Sequence, residues 1–446
     1  MNIAGKRITI LGAVRSGIAA AKLAMEQNAV PFVSDSAPAE KLGKNIRTLE
    51  EMGIEFETDE HTERVFYCDF IVTSPGVPSN SFPLKTARER GIKVVSELEF
   101  ASWFCEGKII AITGTNGKTT TTALTAHVLN NAGLKTYLAG NIGTAFSEIA
   151  TEVKRDEFVA LEVSSFQLDY IEKFKPFGAV ILNVTPDHLD RYEGSFDNYL
   201  KAKLRITENQ DKNDFLVLNA DDKNLLNVET DARRYYFSTT KEVERGAFSD
   251  GKTLYFKDLE HPIEICEREK LTLKGEHNLS NALSVLTIAK SLGIEDKSIC
   301  ESFESFEGVE HRLEFVRELN GVVFINDSKA TNVDSVWYAL RSFDKPLRLI
   351  LGGKDKGNDY SVLNEPVRER VKKIYAIGSS AEKVYNHFKD IVETEIKNSF
   401  ESAIKDAYAE ADEGDIVLLS PACASFDMFD NYEHRGRVFK EIVRSL

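Results

Sequence analysis

The chain has 446 residues, 42% of them hydrophobic and 28% charged, with 27 glycines and 11 prolines. That composition supports a large core and excludes a disordered or collagen-like polymer. Fifty-six basic against 71 acidic residues leave a formal charge of -15, which repels a polyanion unless basic residues are concentrated somewhere; no such block is present, which argues against a nonspecific nucleic-acid binder.

In chain order, short apolar runs ending in Gly, Ser, Thr or Asp recur at Ile8 to Leu11, Phe70 to Val72, Ile109 to Ile112, Phe158 to Val163, Ala179 to Leu182, Val322 to Ile325, Leu347 to Leu351, Ile374 to Ile377 and Ile416 to Leu419. They read as buried parallel strands. Helical patterns lie between many of them; one is Thr119 to Asn131, with Leu124 and Val128 one turn apart and Gly133 as a stop. The alternation predicts α/β layers, started three times at glycine-marked strand exits near Gly12, Gly114 and Gly352. Junctions are expected within Val95 to Cys105 and near Gly308, giving domains 1–97, 98–309 and 310–446. From about Leu216 to Lys274 short alternating runs predict a small β-rich insertion in the middle domain. The five cysteines are scattered, with no CxxC pair, as in a reducing compartment. The N-terminus lacks a signal-peptide pattern, and no run approaches the roughly 18 apolar residues of a membrane helix. The expectation is a soluble, cytoplasmic protein with no membrane partner.

The strongest local signal is Gly114-Thr115-Asn116-Gly117-Lys118-Thr119, entered from a strand and leaving into a helix. Backbone N–H groups of such a loop converge on phosphate oxygens, Lys118 adds a positive charge, and Thr119 offers a hydroxyl to Mg²⁺; ATP is the natural ligand. The spacing is shorter than the usual GxxxxGK[ST] motif. Glu162, in a buried run, is a metal-compatible carboxylate or a strand-face glutamate. His188, in the loop Asn183 to Asp190, gains weight from lying just after a strand, because ligands gather at strand C-termini in open α/β sheets. Lys203 reads by itself as a solvated helix lysine.

Taken together, Gly114 to Thr119, Glu162 with Ser-Ser-Phe-Gln-Leu, Asn183 to Asp190, Lys203, His277-Asn278, Asn281, His311-Arg312, Asn326 to Asn332 and Ser420 to Ser425 occur in an order that resembles the Mur ligases over essentially the whole chain. The resemblance implies a Rossmann-like N-terminal domain for a UDP group, a central P-loop ATPase-like domain, and a C-terminal Rossmann-like domain that closes over the site. It implies ATP-dependent addition of D-glutamate to UDP-N-acetylmuramoyl-L-alanine through an acyl phosphate; a monomer is expected.

By the same resemblance the catalytic set is Lys118, Glu162, His188 and Lys203. ATP would meet Gly114 to Thr119, Asn278, Asn281, Arg312 and Asp327. Two Mg²⁺ ions would be served by Thr119 and Glu162, and by His188 and an N-carbamylated Lys203. Thr331, Lys356, Ser425 and Tyr432 match the D-glutamate pocket, and Ser16, Asp35, Gly76 and Asn141 match UDP-substrate positions. Several of these have bland alternatives: Arg312 and Lys356 as solvated charges, Asp327 as a helix cap, Ser425 and Tyr432 in local hydrogen bonds. In the first loop, Gly12-Ala13-Val14-Arg15-Ser16-Gly17, Val14 takes the place of the glycine that lets backbone approach a pyrophosphate, which argues against a nicotinamide cofactor. Arg15 and Ala37 also depart from the family's motifs. A sister ligase or folate polyglutamate synthase would differ around Phe166 and Ser425, and a P-loop switch would lack an amine acceptor.

Overall fold

Each of the apolar runs forms a strand in the computed structural model, which describes every residue except Ile142, Leu259 and Lys356 and leaves the side chain of Asp190 undescribed. The chain packs into two compact units, 1–271 with 280–306, and 272–279 with 307–446.

The first unit carries two sheets. One contains β1 (Arg7–Leu11), β2 (Val30–Ser34), β3 (Glu55–Glu57), β4 (Phe70–Thr73) and β5 (Val94–Ser96) in the order β3-β2-β1-β4-β5, all parallel. Its order reverses at β1, and the glycine loop leaves β1 at that point, where open α/β sheets make a crevice. Gly12 (φ +99) turns the chain, and a Cβ on Gly17 would lie 1.7 Å from the Gly12 carbonyl oxygen. The helix Arg15–Glu26 therefore needs glycine there to pack closely on the strand exit.

The second sheet contains β6 (Lys108–Thr113), β7 (Thr136–Gly140), β8 (Phe158–Glu162), β9 (Gly178–Ile181), β10 (Phe215–Asn219), β11 (Arg233–Ser238), β12 (Arg245–Ser249), β13 (Thr253–Asp258) and β14 (Ile263–Glu267). Its order is β14-β13-β12-β11-β10-β9-β6-β8-β7. The expected β-rich segment is present as β10 to β14; these strands extend the edge of the central sheet, with β12, β13 and β14 pairing antiparallel. The candidate junction near Ser96 is the helix Glu97–Ser102, with Glu97 and Glu99 buried. Glu99 accepts backbone N–H bonds from Glu172, Lys173 and Phe174, and Glu97 accepts one from Ser147. These bonds tie the segment into the unit and account for charged side chains inside it.

The other unit holds β15 (Glu314–Leu319), β16 (Val322–Asn326), β17 (Leu347–Gly352), β18 (Val371–Ile377), β19 (Glu393–Ile396) and β20 (Ile416–Leu419), ordered β15-β16-β20-β17-β18-β19. Only β15 runs antiparallel to its neighbour among the described pairs. Apolar clusters cover both faces of this sheet, as a parallel sheet with helices on each side requires.

Cysteine spacing predicts reduced thiols, but Cys266 in β14 and Cys300 in the helix Asp296–Ser305 form a disulfide, their Cα atoms 5.5 Å apart. The packing of that helix beside β14 creates the pairing, which no sequence spacing signals. Among the described residues no helix is long and apolar enough to cross a membrane.

Candidate active site

The phosphate-loop sequence follows β6 and opens the helix Lys118–Asn131. Gly117 caps that helix in the left-handed region (φ +84), and a Cβ there would lie 2.4 Å from Asn281 Oδ1. The left-handed conformation favours glycine, and any Cβ there would force the Asn281 amide to shift. The loop is pinned from the strand exit after β9: the Thr115 N–H donates to the Asn183 carbonyl at 2.9 Å, and Asn183 Oδ1 accepts from the Asn116 N–H at 2.9 Å. The fixed loop precedes a helix N-terminus, an arrangement suited to phosphate.

Glu162, the last residue of β8, is 2% exposed. Its Oε2 accepts from Thr119 Oγ1 at 2.8 Å and its Oε1 from Asn141 Nδ2 at 3.2 Å. The carboxylate thus joins the helix Lys118–Asn131 to the exit of β7. Arg15 Nη2 in turn donates to the Asn141 carbonyl at 3.1 Å, which links the first glycine loop to the same strand ends.

Lys203 lies on the helix Phe196–Leu204 and is only 2% exposed, so it is not a solvated helix lysine. Its Nζ donates to the Gly114 carbonyl at 2.7 Å, and Lys118 Nζ donates to that same oxygen at 2.9 Å. Burial, reinforced by the Lys118 charge, pushes the Lys203 amine well below its ordinary pKa, against the opposing pull of Asp187 and Glu162. His188 has φ +51, and its exposed ring stands edge-on to Phe166 with centroids 4.9 Å apart. Asp187 Oδ2 is 3.6 Å from its Nε2.

In the second unit Asp327 is 1% exposed; it accepts from the Leu313 N–H at 3.2 Å and from Ser420 Oγ at 2.8 Å. It is a buried acceptor and caps no helix. Burial raises its pKa to about 6, with Arg312 pulling the other way. Asn278 Nδ2 donates to the Lys274 carbonyl. Ser425 is buried, and Tyr432 opens the last helix, Tyr432–Ser445. The Tyr432 carbonyl accepts from Ser328 Oγ at 2.8 Å, and the Lys329 ammonium lies 5.5 Å from the Tyr432 ring centre. The Thr331 N–H donates to the Lys329 carbonyl. Lys356 lies outside the described residues.

At the first loop Asp35 Oδ2 accepts from the Ala13 N–H at 2.7 Å and Oδ1 from the Ala37 N–H at 2.8 Å. Val14 is 56% exposed, and Ser16 is half-buried at the start of the following helix. The Gly76 carbonyl accepts from Arg191 Nη2 at 3.1 Å.

The description "Mur ligase middle domain" matches residues 112–289, "Mur ligase, glutamate ligase domain" residues 311–423, and "MurD N-terminal domain" residues 7–82. A UDP-N-acetylmuramoylalanine--D-glutamate ligase of Koribacter versatilis is 45% identical, over 100% of this chain and 99% of its own. The enzyme of the same name from Christiangramia forsetii is also 45% identical, over 99% of this chain and 100% of its own. The chain belongs to the Mur ligase family. The crystal structure of the UDP-N-acetylmuramate-alanine ligase of Thermotoga maritima shares the fold with a TM-score of 0.64 at 19% identity, covering 99% of each chain. The MurF ligase of the same organism, in complex with ADP, matches at 0.62 and 16% identity over 93% of this chain and 95% of its own.

For a Mur ligase, the hydroxyl of Thr119 and the carboxylate of Glu162 form an oxygen donor pair beside the phosphate loop, which fits a hard divalent cation. Only an unprotonated amine attacks CO₂, and burial shifts Lys203 toward that form, which fits carbamate formation. Sequence reasoning overlooked two contributors. Tyr199 OH lies 3.1 Å from Thr115 Oγ1 and its ring 4.7 Å from Lys203 Nζ; its position one turn before Lys203 was the available signal. Arg435, fully buried, donates to Ser328 Oγ and to the Ser328 and Cys423 carbonyls, and so binds together the loops that carry Thr331 and Ser425.

Proposed function

We propose that this Mur ligase joins D-glutamate to UDP-N-acetylmuramoyl-L-alanine at the expense of ATP, as a cytoplasmic monomer in peptidoglycan precursor synthesis, which supports cell shape and division. The observation that carries the chemistry is the convergence of Lys118, Lys203 and the Thr119–Glu162 pair on the loop beginning at Gly114. The full-length relatives carry the choice of substrate.

In this reading the substrate carboxylate attacks the γ-phosphorus of ATP, and the bond to the bridging oxygen breaks with its electron pair leaving on ADP. The acyl phosphate so formed is attacked at its acyl carbon by the amine of D-glutamate; phosphate departs, and the amine's surplus proton passes to solvent. The loop N–H groups and the Lys118 ammonium neutralise charge that builds on the transferring and leaving oxygens. Thr119 and Glu162 would hold a Mg²⁺, and His188 with carbamylated Lys203 a second; bound there, the ions supply Lewis-acid stabilisation of phosphate charge.

Asn278, Asn281, Arg312 and Asp327 are assigned to the nucleotide, Ser16, Asp35, Gly76 and Asn141 to the UDP substrate, and Thr331, Lys356, Ser425 and Tyr432 to D-glutamate. The functional domains are taken as 1–97, 98–309 and 310–446, supported by one sheet in each. The test is phosphate release with UDP-N-acetylmuramoyl-L-alanine and a panel of amino acids. Release should require D-glutamate, with L-glutamate poor because inversion moves the amine or a carboxylate out of register. Equal turnover with L-alanine, L-lysine or meso-diaminopimelate would make the protein a sister ligase.

A further inference from the structure

Three neighbouring strands bring Leu11, Ser34 and Glu57 into register at their carboxyl ends, beside the crevice left by the first glycine loop. Ser34 is fully buried. Its Oγ lies 2.7 Å from Glu57 Oε1 and 2.7 Å from His61 Nδ1. The two contacts share a single hydroxyl proton, so their directions are linked.

Glu57 settles the direction. Although burial opposes it, hydrogen bonds from Thr62 and Ser34 hold its carboxyl below the ordinary range. Thr62 donates both its N–H, at 3.0 Å to Oε1, and its hydroxyl, at 2.6 Å to Oε2. An ionised carboxylate only accepts, so the Ser34 proton points to Glu57. Ser34 Oγ then accepts from His61, and Nδ1 must carry the ring hydrogen. Burial lowers the His61 pKa, against the pull of Asp35 and Glu57, which keeps the ring neutral. Neutral His61 therefore has its hydrogen on Nδ1 and a bare lone pair on Nε2. Among the described residues, no hydrogen bond engages that Nε2.

Asp35, close enough for its charge to act on the ring, braces the loop through the Ala13 and Ala37 N–H groups. The crevice thus offers acceptors, and a nucleoside offers complementary donors: the N3–H of uracil and the ribose hydroxyls. We infer that His61, held in one tautomer by the Ser34–Glu57 relay, is a substrate-binding residue that accepts a hydrogen bond from the uridine end of the UDP substrate. This rests on the assignment of the first domain to UDP and adds a residue and a tautomer to it.

Calorimetry tests both with UDP, its N3-methyl analogue and its 2′-deoxy analogue, on wild type, His61→Ala, His61→Gln and Ser34→Ala. One net neutral hydrogen bond corresponds to about three- to tenfold in affinity. Wild type should prefer UDP by that factor over the analogue lacking the relevant donor; the N3-methyl arm identifies the base and the 2′-deoxy arm the ribose. His61→Ala should bind UDP that much more weakly and lose the preference. His61→Gln, with an amide oxygen near the Nε2 position, should recover part of both, and Ser34→Ala should blunt the preference by freeing the tautomer. Wild-type UDP affinity in His61→Ala, or an unchanged preference among the analogues in that variant, overturns the inference and leaves the domain assignment standing. Failure of the wild-type protein to bind UDP overturns both.

Discussion

Lys118 and Lys203 donate to one and the same acceptor, the carbonyl oxygen of Gly114, at 2.9 and 2.7 Å. Two ammonium groups on one oxygen at a buried site repel each other, and the more deeply buried of them, Lys203, sheds its proton more readily. Burial thus shifts Lys203 toward its unprotonated, nucleophilic form.

Carbamylation of Lys203 is the expected consequence. Carbon-13-labelled bicarbonate should give a carbamate resonance in wild type that is absent from Lys203→Ala. That variant should lose most phosphate release, and acetate or formate should restore part of it by occupying the vacated anion site. Full activity of Lys203→Ala in bicarbonate-free buffer would count against the role.

Glu162→Gln should leave Asn141 and Thr119 with a polar partner yet remove the negative charge, so the fold should hold and turnover should fall by about 10²- to 10³-fold, as for loss of a group acting on transition-state charge. A magnesium titration should show a raised half-saturation point. An unchanged metal dependence would separate Glu162 from cation binding.

Ser16→Ala tests the first loop. A hydrogen bond to a charged group contributes about 1.5 to 3 kcal/mol, so KM for the UDP substrate should rise roughly ten- to a hundredfold while kcat changes less. Separate calorimetric titrations with NADH and UDP provide the control: micromolar NADH binding without UDP binding would reassign the domain.

His277 supplies a pH prediction. Burial, with Arg312 nearby, lowers its pKa from 6.5 to about 4. The folded ring stays neutral while the unfolded ring takes up a proton below 6.5, so the unfolded state binds more protons and stability rises with pH. The contribution is complete above pH 6.5 and is lost as pH falls toward 4, by at most about 3 kcal/mol. The difference in melting temperature between wild type and His277→Gln should therefore change across that window, and a pH-independent difference would contradict it.

The Cys266–Cys300 disulfide predicts three titratable thiols in unfolded, unreduced protein, at Cys68, Cys105 and Cys423, and five after reduction. Closing a loop of this size is worth about 3 to 4 kcal/mol in the chain-entropy view, so Cys300→Ser should lower the melting temperature measured without reductant. Five thiols before reduction would show the pair to be open.

Strand runs, turn glycines and the phosphate loop are local patterns, so the strand-rich α/β class, the glycine loops and the order of motifs are all legible in the amino-acid sequence. It also carried Glu162, whose charge in an apolar run demanded a partner. Which partner it took, Thr119 and Asn141, depended on how β7 and β8 ran beside β6. Lys203 shows the limit most clearly: composition reads it as solvated, and only the docking of its helix against a loop 89 residues earlier makes it a buried amine. His61 was silent for the same reason, since its tautomer follows from the parallel register of β2 and β3. Burial, shared acceptors and relayed protons are properties of neighbours in space, and chain packing alone decides which neighbours meet.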